Sequence, residues 1–334
     1  MKDQVDVLMR AMGSTGQWAG EQFLRAMERG ETISPSHLRT NAVLSNDQWV
    51  EFDTVLVREA SIRMRAAGDL IAAGLTRTIT NGLAKTVFEY QKIGDMDPAV
   101  VSMDGVTRSE NDRLAYTDAR IPMPITHKDW YLNLRQLMAS RTSGEAIDTT
   151  HIEAAGRKIG EEIERMVLVG GKTFQGLPIY GYTTFPARNT ASFGTNGQWG
   201  AAAKTGDNIL ADISTMIAAQ AADRFYGPFV IYIGSGMAGK MNEDFKANSD
   251  KTIRQRILEL EEIQAIRVVD QLPASTVIMV QLTSDVVQLI QGEPLQTVQW
   301  DIHGGFQINY KGFTIQIPLL RSDASGRAGL FHMS

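Results

Sequence analysis

The sequence contains no cysteine. Disulfides, thiolate nucleophiles and cysteine-ligated zinc or iron–sulfur sites are therefore excluded together. The redox state of the compartment stays open, because a chain without thiols tolerates any of them. Positive charge is also scarce: 33 Lys and Arg stand against 38 Asp and Glu, a formal net charge of −5. A chain built to grip DNA through its phosphates carries the opposite balance. Long apolar runs are missing too. The longest nearly uncharged stretches, such as Ser275 to Ser284, are too short and too dotted with polar residues to span a bilayer. The opening MKDQVDVLMRAMGSTG places acids among its first residues and lacks an apolar core of signal-peptide length, so a soluble protein is expected.

What is present is ordinary for a globular protein: 334 residues, 43% hydrophobic and 21% charged. That length is enough for about two domains and a sizeable core. No period of 20–50 residues repeats, which disfavours solenoids and propellers.

Residues 1–45 are polar and punctuated by Gly and Ser, with one helix expected from about Gln17 to Arg29. A second, long helix is expected to start at Asp47 and run toward Leu75, with Trp49, Phe52 and Leu56 at helical spacing. AKTVFEYQKI then alternates as a strand does, until Gly94-Asp95-Met96-Asp97-Pro98 breaks it. LAYTDARIPMPI reads as the returning strand, so residues 84–126 form a hairpin arm. Such an arm buries little by itself and needs a surface to lie on.

The strongest helix signal runs from Asp148 to Val169. Thr150-His151-Ile152-Glu153 fits a capping box. Ile152, Ala155, Ile159, Ile163 and Met166 make one apolar stripe. Arg157, Lys158, Glu161, Glu162, Glu164 and Arg165 fill the remainder and read as a solvated, internally paired face. Further helices are expected over Asp207–Ala222, from Met237, and over Thr252–Glu262. Strands are expected at Phe229–Ile233 and Ile266–Val269, followed by a β-rich last 60 residues. The class is α+β, with no βαβ series.

Strings that suggest an active site fail on their own geometry. Gly170-Gly171-Lys172-Thr173 ends like a phosphate-binding loop, yet the glycine required upstream is Met166, inside a helix. Ile233-Gly234-Ser235-Gly236-Met237 sits where a nucleophile elbow would, but positions 233 and 237 are bulky. The five histidines, His37, His127, His151, His303 and His332, show no H-x-x-x-H spacing. No catalytic, cofactor-binding or metal-binding residue is expected, and the chain is read as no enzyme and as needing no cofactor.

The order of these parts resembles the major capsid proteins of tailed phages, the Hong Kong 97-type fold, and in particular the branch that includes encapsulin shell proteins. Four strings carry the likeness. Ala119-Arg120-Ile121-Pro122-Met123-Pro124-Ile125-Thr126 resembles the strand leading out of the extended loop. HIEAAGRKIGEEIERMVLVGG with Phe174-Gln175-Gly176-Leu177 resembles the spine helix and the turn after it. Tyr226-Gly227-Pro228-Phe229-Val230-Ile231-Tyr232-Ile233 resembles a strand of the apical domain. The strands through Gln288-Leu289-Ile290, Ile308-Asn309-Tyr310 and Phe313-Thr314-Ile315 resemble the closing sheet. The likeness covers roughly residues 80–320 and lies in the order of the strings. Unlike encapsulins, the chain has a longer N-terminal region, a longer hairpin arm and an inserted loop around Thr183 to Thr205.

The resemblance implies an organisation. Residues 1–57 would form an N-terminal arm and helices, 58–83 a helix leading into the loop, and 84–126 the extended hairpin loop. Residues 127–171 plus 286–334 would form a peripheral domain with a spine helix at 148–169, and 172–285 an apical domain whose loops, such as Phe245 to Asp250, crowd the symmetry axes. The function implied is a structural subunit of an icosahedral phage shell enclosing double-stranded DNA; an encapsulin-type compartment is the alternative, and a soluble α+β enzyme a remote one. The implied partners are the chain itself, in hexamers and pentamers, with portal, scaffold and decoration proteins. DNA would be enclosed without sequence-specific binding, no membrane would be involved, and the location would be a virion capsid assembled in the host cytoplasm. Subunit contacts are expected at Trp18, Phe23, Trp49 and Phe52, for which a core role is equally open. The arm charges Lys85, Glu89, Lys92, Asp95, Asp97, Arg108, Glu110 and Arg113 are expected to set the register between neighbours.

Overall fold

The computed structural model describes residues 46–93, 116–135, 149–246, 250–303, 306–323 and 325–334, with positions 99, 101 and 103; for 46–51 and 93 it describes the backbone alone. In chain order the elements are α1 (Asn46–Arg63), α2 (Ala66–Ala72), β1 (Thr76–Thr78), β2 (Val87–Ile93), β3 (Tyr116–Pro122), β4 (Thr126–Asn133), α3 (Thr150–Leu168), β5 (Gly170–Phe174), β6 (Leu177–Tyr180), β7 (Asn189–Ala191), α4 (Gly206–Ala222), β8 (Phe229–Gly234), α5 (Ala238–Met241), α6 (Ile253–Leu258), β9 (Ile263–Val269), β10 (Val277–Gln281), β11 (Val287–Ile302), β12 (Gln307–Leu320) and β13 (Leu330–Met333).

Two sheets organise the chain. The first has the order β1-β11-β12-β4, and the second β7-β13-β10-β8-β9. The segments DVVQLI and QTVQWDI, which look like two strands in the sequence, are one 16-residue strand, β11. It keeps pairing with β12 through irregularities between Gln291 and Gln296. The last strand, β13, pairs antiparallel with β10 and parallel with β7 in the second sheet. The second sheet also contains one parallel pair, β8 with β9, whose crossover carries α5 and α6. All six residues of β8 are buried, as expected of a strand covered on both faces.

The long helix α3 is the spine between these sheets. Its stripe of Ile152, Ala155, Ile159, Ile163 and Met166 is buried as the periodicity requires. One end packs with Phe52, Leu56, Trp130 and Tyr310, the other with Leu289, Ile315 and Ile317. The helix approaches α1 closely through glycine: a Cβ on Gly160 would sit 2.9 Å from Ala60 Cα. Gly170, at φ +62°, then lets the chain leave the helix and turn into β5, with Gly181 N directly beside it. The helix start differs from the expected capping box. Thr149 holds the N-cap position, and its hydroxyl lies 3.0 Å from Glu153 Oε1 without bonding the backbone N–H groups of the first turn.

The single helix expected from Asp47 to Leu75 is interrupted at Met64 and Arg65. The cause is Glu164. Its carboxylate accepts from Ala66 N at 2.8 Å and Ala67 N at 3.1 Å. Those are the two N–H groups that would otherwise close helical bonds onto residues 62 and 63. Glu164 is therefore part of the buried face of α3, 1% exposed, rather than part of its solvated face.

The second sheet has its own core of Trp199, Ile209, Ile213, Ile231, Met279 and neighbours. α4 starts at the N-cap Thr205, whose hydroxyl accepts from Asn208 N. α6 starts with a full capping box between Thr252 and Gln255.

Candidate assembly surfaces

The hairpin arm is built on β2 and β3, paired antiparallel from Val87↔Pro122 to Ile93↔Tyr116. Its base is held by the body. Ile121 and Pro122 are buried, and the Arg77 guanidinium lies 5.1 Å from the Phe88 ring centroid. Outward from there the strand emerges: Tyr116, Thr117, Asp118 and Arg120 are exposed. In the segment between β2 and β3, Val101 and Met103 are almost completely exposed, at 96% and 106%. Apolar side chains left this open are available for contact.

The expected arm charges divide. Glu89 faces Arg120 across the hairpin and pairs with it at 2.9 Å; both side chains are about two-thirds exposed. Such a pair contributes at most about 1 kcal/mol within the chain, so it keeps its capacity to steer a contact. Lys85 is exposed and Lys92 half-exposed. Asp95, Asp97, Arg108, Glu110 and Arg113 lie outside the described residues, as do Trp18, Phe23 and the Trp49 side chain. Phe52 is resolved in favour of the core: it is 1% exposed and packs edge-on to Tyr310 with centroids 5.9 Å apart.

A second exposed group lies at the far end of the first sheet. Phe306 is 73% exposed beyond the last β11–β12 pair, and Tyr131 is exposed on the adjoining β4. Tyr226, in the turn before β8, is exposed as well.

Between the sheets sits a polar junction that the sequence did not advertise. Asp69 on α2 accepts from the Tyr232 hydroxyl of β8 at 3.0 Å and from Arg267 of β9 at 3.3 Å through two nitrogens. Glu164 holds the start of the same helix from the spine side. α2 is thus tied to α3 by one carboxylate and to the second sheet by another. Burial pushes the Glu164 carboxyl up to about 7, against the opposing pull of the N–H groups of Ala66 and Ala67. Burial likewise raises the phenols of Tyr182 and Tyr232, whose rings lie 5.9 Å apart, with nearby carboxylates adding to the effect. On the exposed side of α3, burial opposes ionisation of Glu162, but hydrogen bonds from Arg165 and Lys172 outweigh it and hold the carboxyl below its usual range.

A buried ion pair joins α4 to the loop before it, beside the core of the second sheet. Lys204 Nζ lies 2.7 Å from Asp212 Oδ2, with side chains 0% and 5% exposed. Asp212 also accepts from Trp199 Nε1 at 2.8 Å and Gly194 N at 3.1 Å. Lys204 gives a further bond to Thr195 O. These residues organise the loop around Thr183 to Thr205 against α4. Neither they nor Glu164 had a local signal in the sequence, because every partner depends on the tertiary fold. Among the described residues no group of three or more His, Asp or Glu is arranged to hold a metal ion, and no helix is long and apolar enough to cross a membrane.

Comparison with solved structures places this architecture among shell proteins. The virus-like particle from Pyrococcus furiosus superposes with a TM-score of 0.60 at 13% identity, covering 86% of this chain and 100% of that one. The capsid of Myoviridae phage XM1 gives 0.59 at 13% identity, covering 79% and 90%. The capsid of an empty GTA particle gives 0.57 at 13% identity, covering 92% and 97%. The fold is the Hong Kong 97-type capsid fold, as the order of sequence strings implied. No curated protein matches the chain. A family model does match, over residues 39–333, and the chain belongs to that family, described as a family of unknown function, DUF6260.

Proposed function

We propose that this protein is the structural subunit of a closed shell, a phage-type major capsid protein that assembles by repeating one heterologous contact. The observation that carries the reading is the hairpin arm: anchored at Ile121 and Pro122, exposed beyond them along β3, with Val101 and Met103 of the connecting segment open to solvent. A protein acting alone gains nothing from such an arm, whereas a tile in a ring gains a contact at every position. In this reading the first sheet with α3 is the peripheral domain, the second sheet the apical domain, and β2–β3 the extended loop laid on a neighbour. Residues 320–334 then return the chain to the apical domain, since β13 pairs there. The role is architectural rather than enzymatic. Double-stranded DNA is the cargo, enclosed without sequence-specific binding, and portal, scaffold and decoration proteins are the further partners in a virion assembled in host cytoplasm.

A compartment shell is the second reading, favoured by the complete coverage of the Pyrococcus furiosus virus-like particle chain. The test is expression of the full chain, alone and with the proteins encoded beside it, followed by size fractionation and negative-stain electron microscopy. Hollow shells or capsomer rings are expected. Nuclease-protected DNA in the particles separates a virion from a compartment, in which a co-purifying enzyme is expected instead. A monodisperse dimer or tetramer under both conditions would refute the shell reading.

A further inference from the structure

A cleft of about 440 Å³ opens between the end of α1, the exposed side of α3 and the edge strand β9. Four guanidinium groups line it: Arg63 and Arg65 from the α1–α2 break, Arg254 from α6 and Arg267 from β9. Three segments of the chain thus bring four arginines to one concave space, in a protein whose overall charge is negative.

The carboxylates of the lining are mostly committed elsewhere. Glu161 pairs with Lys158 at 2.7 Å. Glu164 is turned to the N–H groups of Ala66 and Ala67. Asp270 is left as the lining carboxylate without a cation among the described residues. The guanidinium groups are less committed. Arg254 uses one nitrogen on Ile266 O at 2.6 Å, which fixes the group and leaves its other N–H donors. Arg267 holds Asp69 at 3.3 Å, a long and therefore weak pairing. Arg63 and Arg65 are exposed and have no carboxylate within 4.0 Å among the described residues.

We infer that this cleft is an anion site for a phosphate group. A carboxylate presents two oxygens in a plane and is satisfied by one guanidinium fork. A phosphate presents oxygens in a tetrahedron and accepts from several forks at once. The donors of four arginines converging from three segments suit the second geometry. The phosphate can come from a small free anion or from the backbone of a nucleic acid, and the two sources share this chemistry. The inference is independent of the shell reading, since it needs only the folded subunit.

The test is isothermal titration of the full chain with pyrophosphate at low ionic strength. Saturable one-site binding is expected. R63Q/R65Q, changing two exposed side chains, should weaken it at least tenfold, while R58Q/R157Q, removing equal charge outside the cleft, should leave it within twofold. Coincident thermal transitions would show that all three proteins are folded, and R254Q provides a second cleft variant with the same expected loss. Short duplex DNA then identifies the source. If it displaces pyrophosphate, nucleic acid is the ligand; if it does not, a free phosphate anion is, and both results uphold the site. Absence of saturable binding, or equal weakening by R58Q/R157Q, would overturn it. Displacement by a glutamate-rich peptide binding more tightly than pyrophosphate would also overturn it, in favour of an acidic protein segment.

Discussion

Glu164 gives the protein a pH dependence of unusual sign. Its carboxyl is 1% exposed and its ordinary value of 4.5 is raised to about 7 by burial. A carboxyl raised in the folded state favours the protonated form there, so its contribution to stability is complete below 4.5 and is lost as the pH rises through about 7. At about 1.4 kcal/mol per pH unit, the interval corresponds to about 3 kcal/mol. The experiment is urea unfolding of the unassembled subunit, followed by tryptophan fluorescence between pH 5 and 8, for the natural protein and E164Q. The glutamine is neutral throughout, so the difference between the two proteins isolates the carboxyl. His332 works in the opposite direction, since burial and Arg188 favour its neutral form and acid then costs stability. That effect is common to both proteins and cancels. The natural protein should lose between about 2 and 3 kcal/mol relative to E164Q on going from pH 5 to pH 8, because the unfolded carboxyl is already largely ionised at pH 5. Parallel pH profiles, or a relative gain toward alkaline pH, would refute the reasoning and mean that the helix N-terminus keeps Glu164 ionised despite its burial.

Two packing predictions follow from the glycine contact and the buried pair. G160A should destabilise the subunit by about 2 kcal/mol in denaturant unfolding, because the added methyl meets the backbone of Ala60 and outweighs the gain in helix propensity. The same change at exposed Gly239, where a Cβ meets nothing, should be neutral or stabilising. D212N should cost about 3–5 kcal/mol, since it strands the Lys204 ammonium in the interior. K204M should cost less, because Trp199 Nε1 and Gly194 N still satisfy the Asp212 carboxylate; equal losses in the two variants would contradict this.

The spine helix was legible because its signal is local: a stripe at helical spacing and two glycines to end it describe α3 without any knowledge of its neighbours. The arm was legible for the same reason, as two alternating runs around a polar centre. The α1–α2 break was not. Met64 and Arg65 are ordinary helix residues, and the interruption comes from a carboxylate about 100 positions later in the chain. The charge pattern of α3 equally concealed Glu164, which has the same neighbours as Glu161 and Glu162 but faces the opposite way. Phe52 shows the remaining ambiguity: its spacing says that one face is buried, but whether against this chain or another is decided by Tyr310, 258 residues away. Among the described arm charges, strand register gives Glu89 and Arg120 to each other and sets Asp118 against Gln91.

The place of β13 bears on the order in which the molecule can become itself. It lies between β7 and β10, so the second sheet has an unfilled slot until residues 330–333 have been made. Phe331 and Met333 from that strand also complete the core around Ile231 and Met279. A chain without residues 330–333 would expose two unpaired strand edges, on β7 and β10, which are templates for non-native pairing. Residues 330–333 are thereby a condition of the second sheet's integrity, and a chain lacking them would offer the freed edges to other strands.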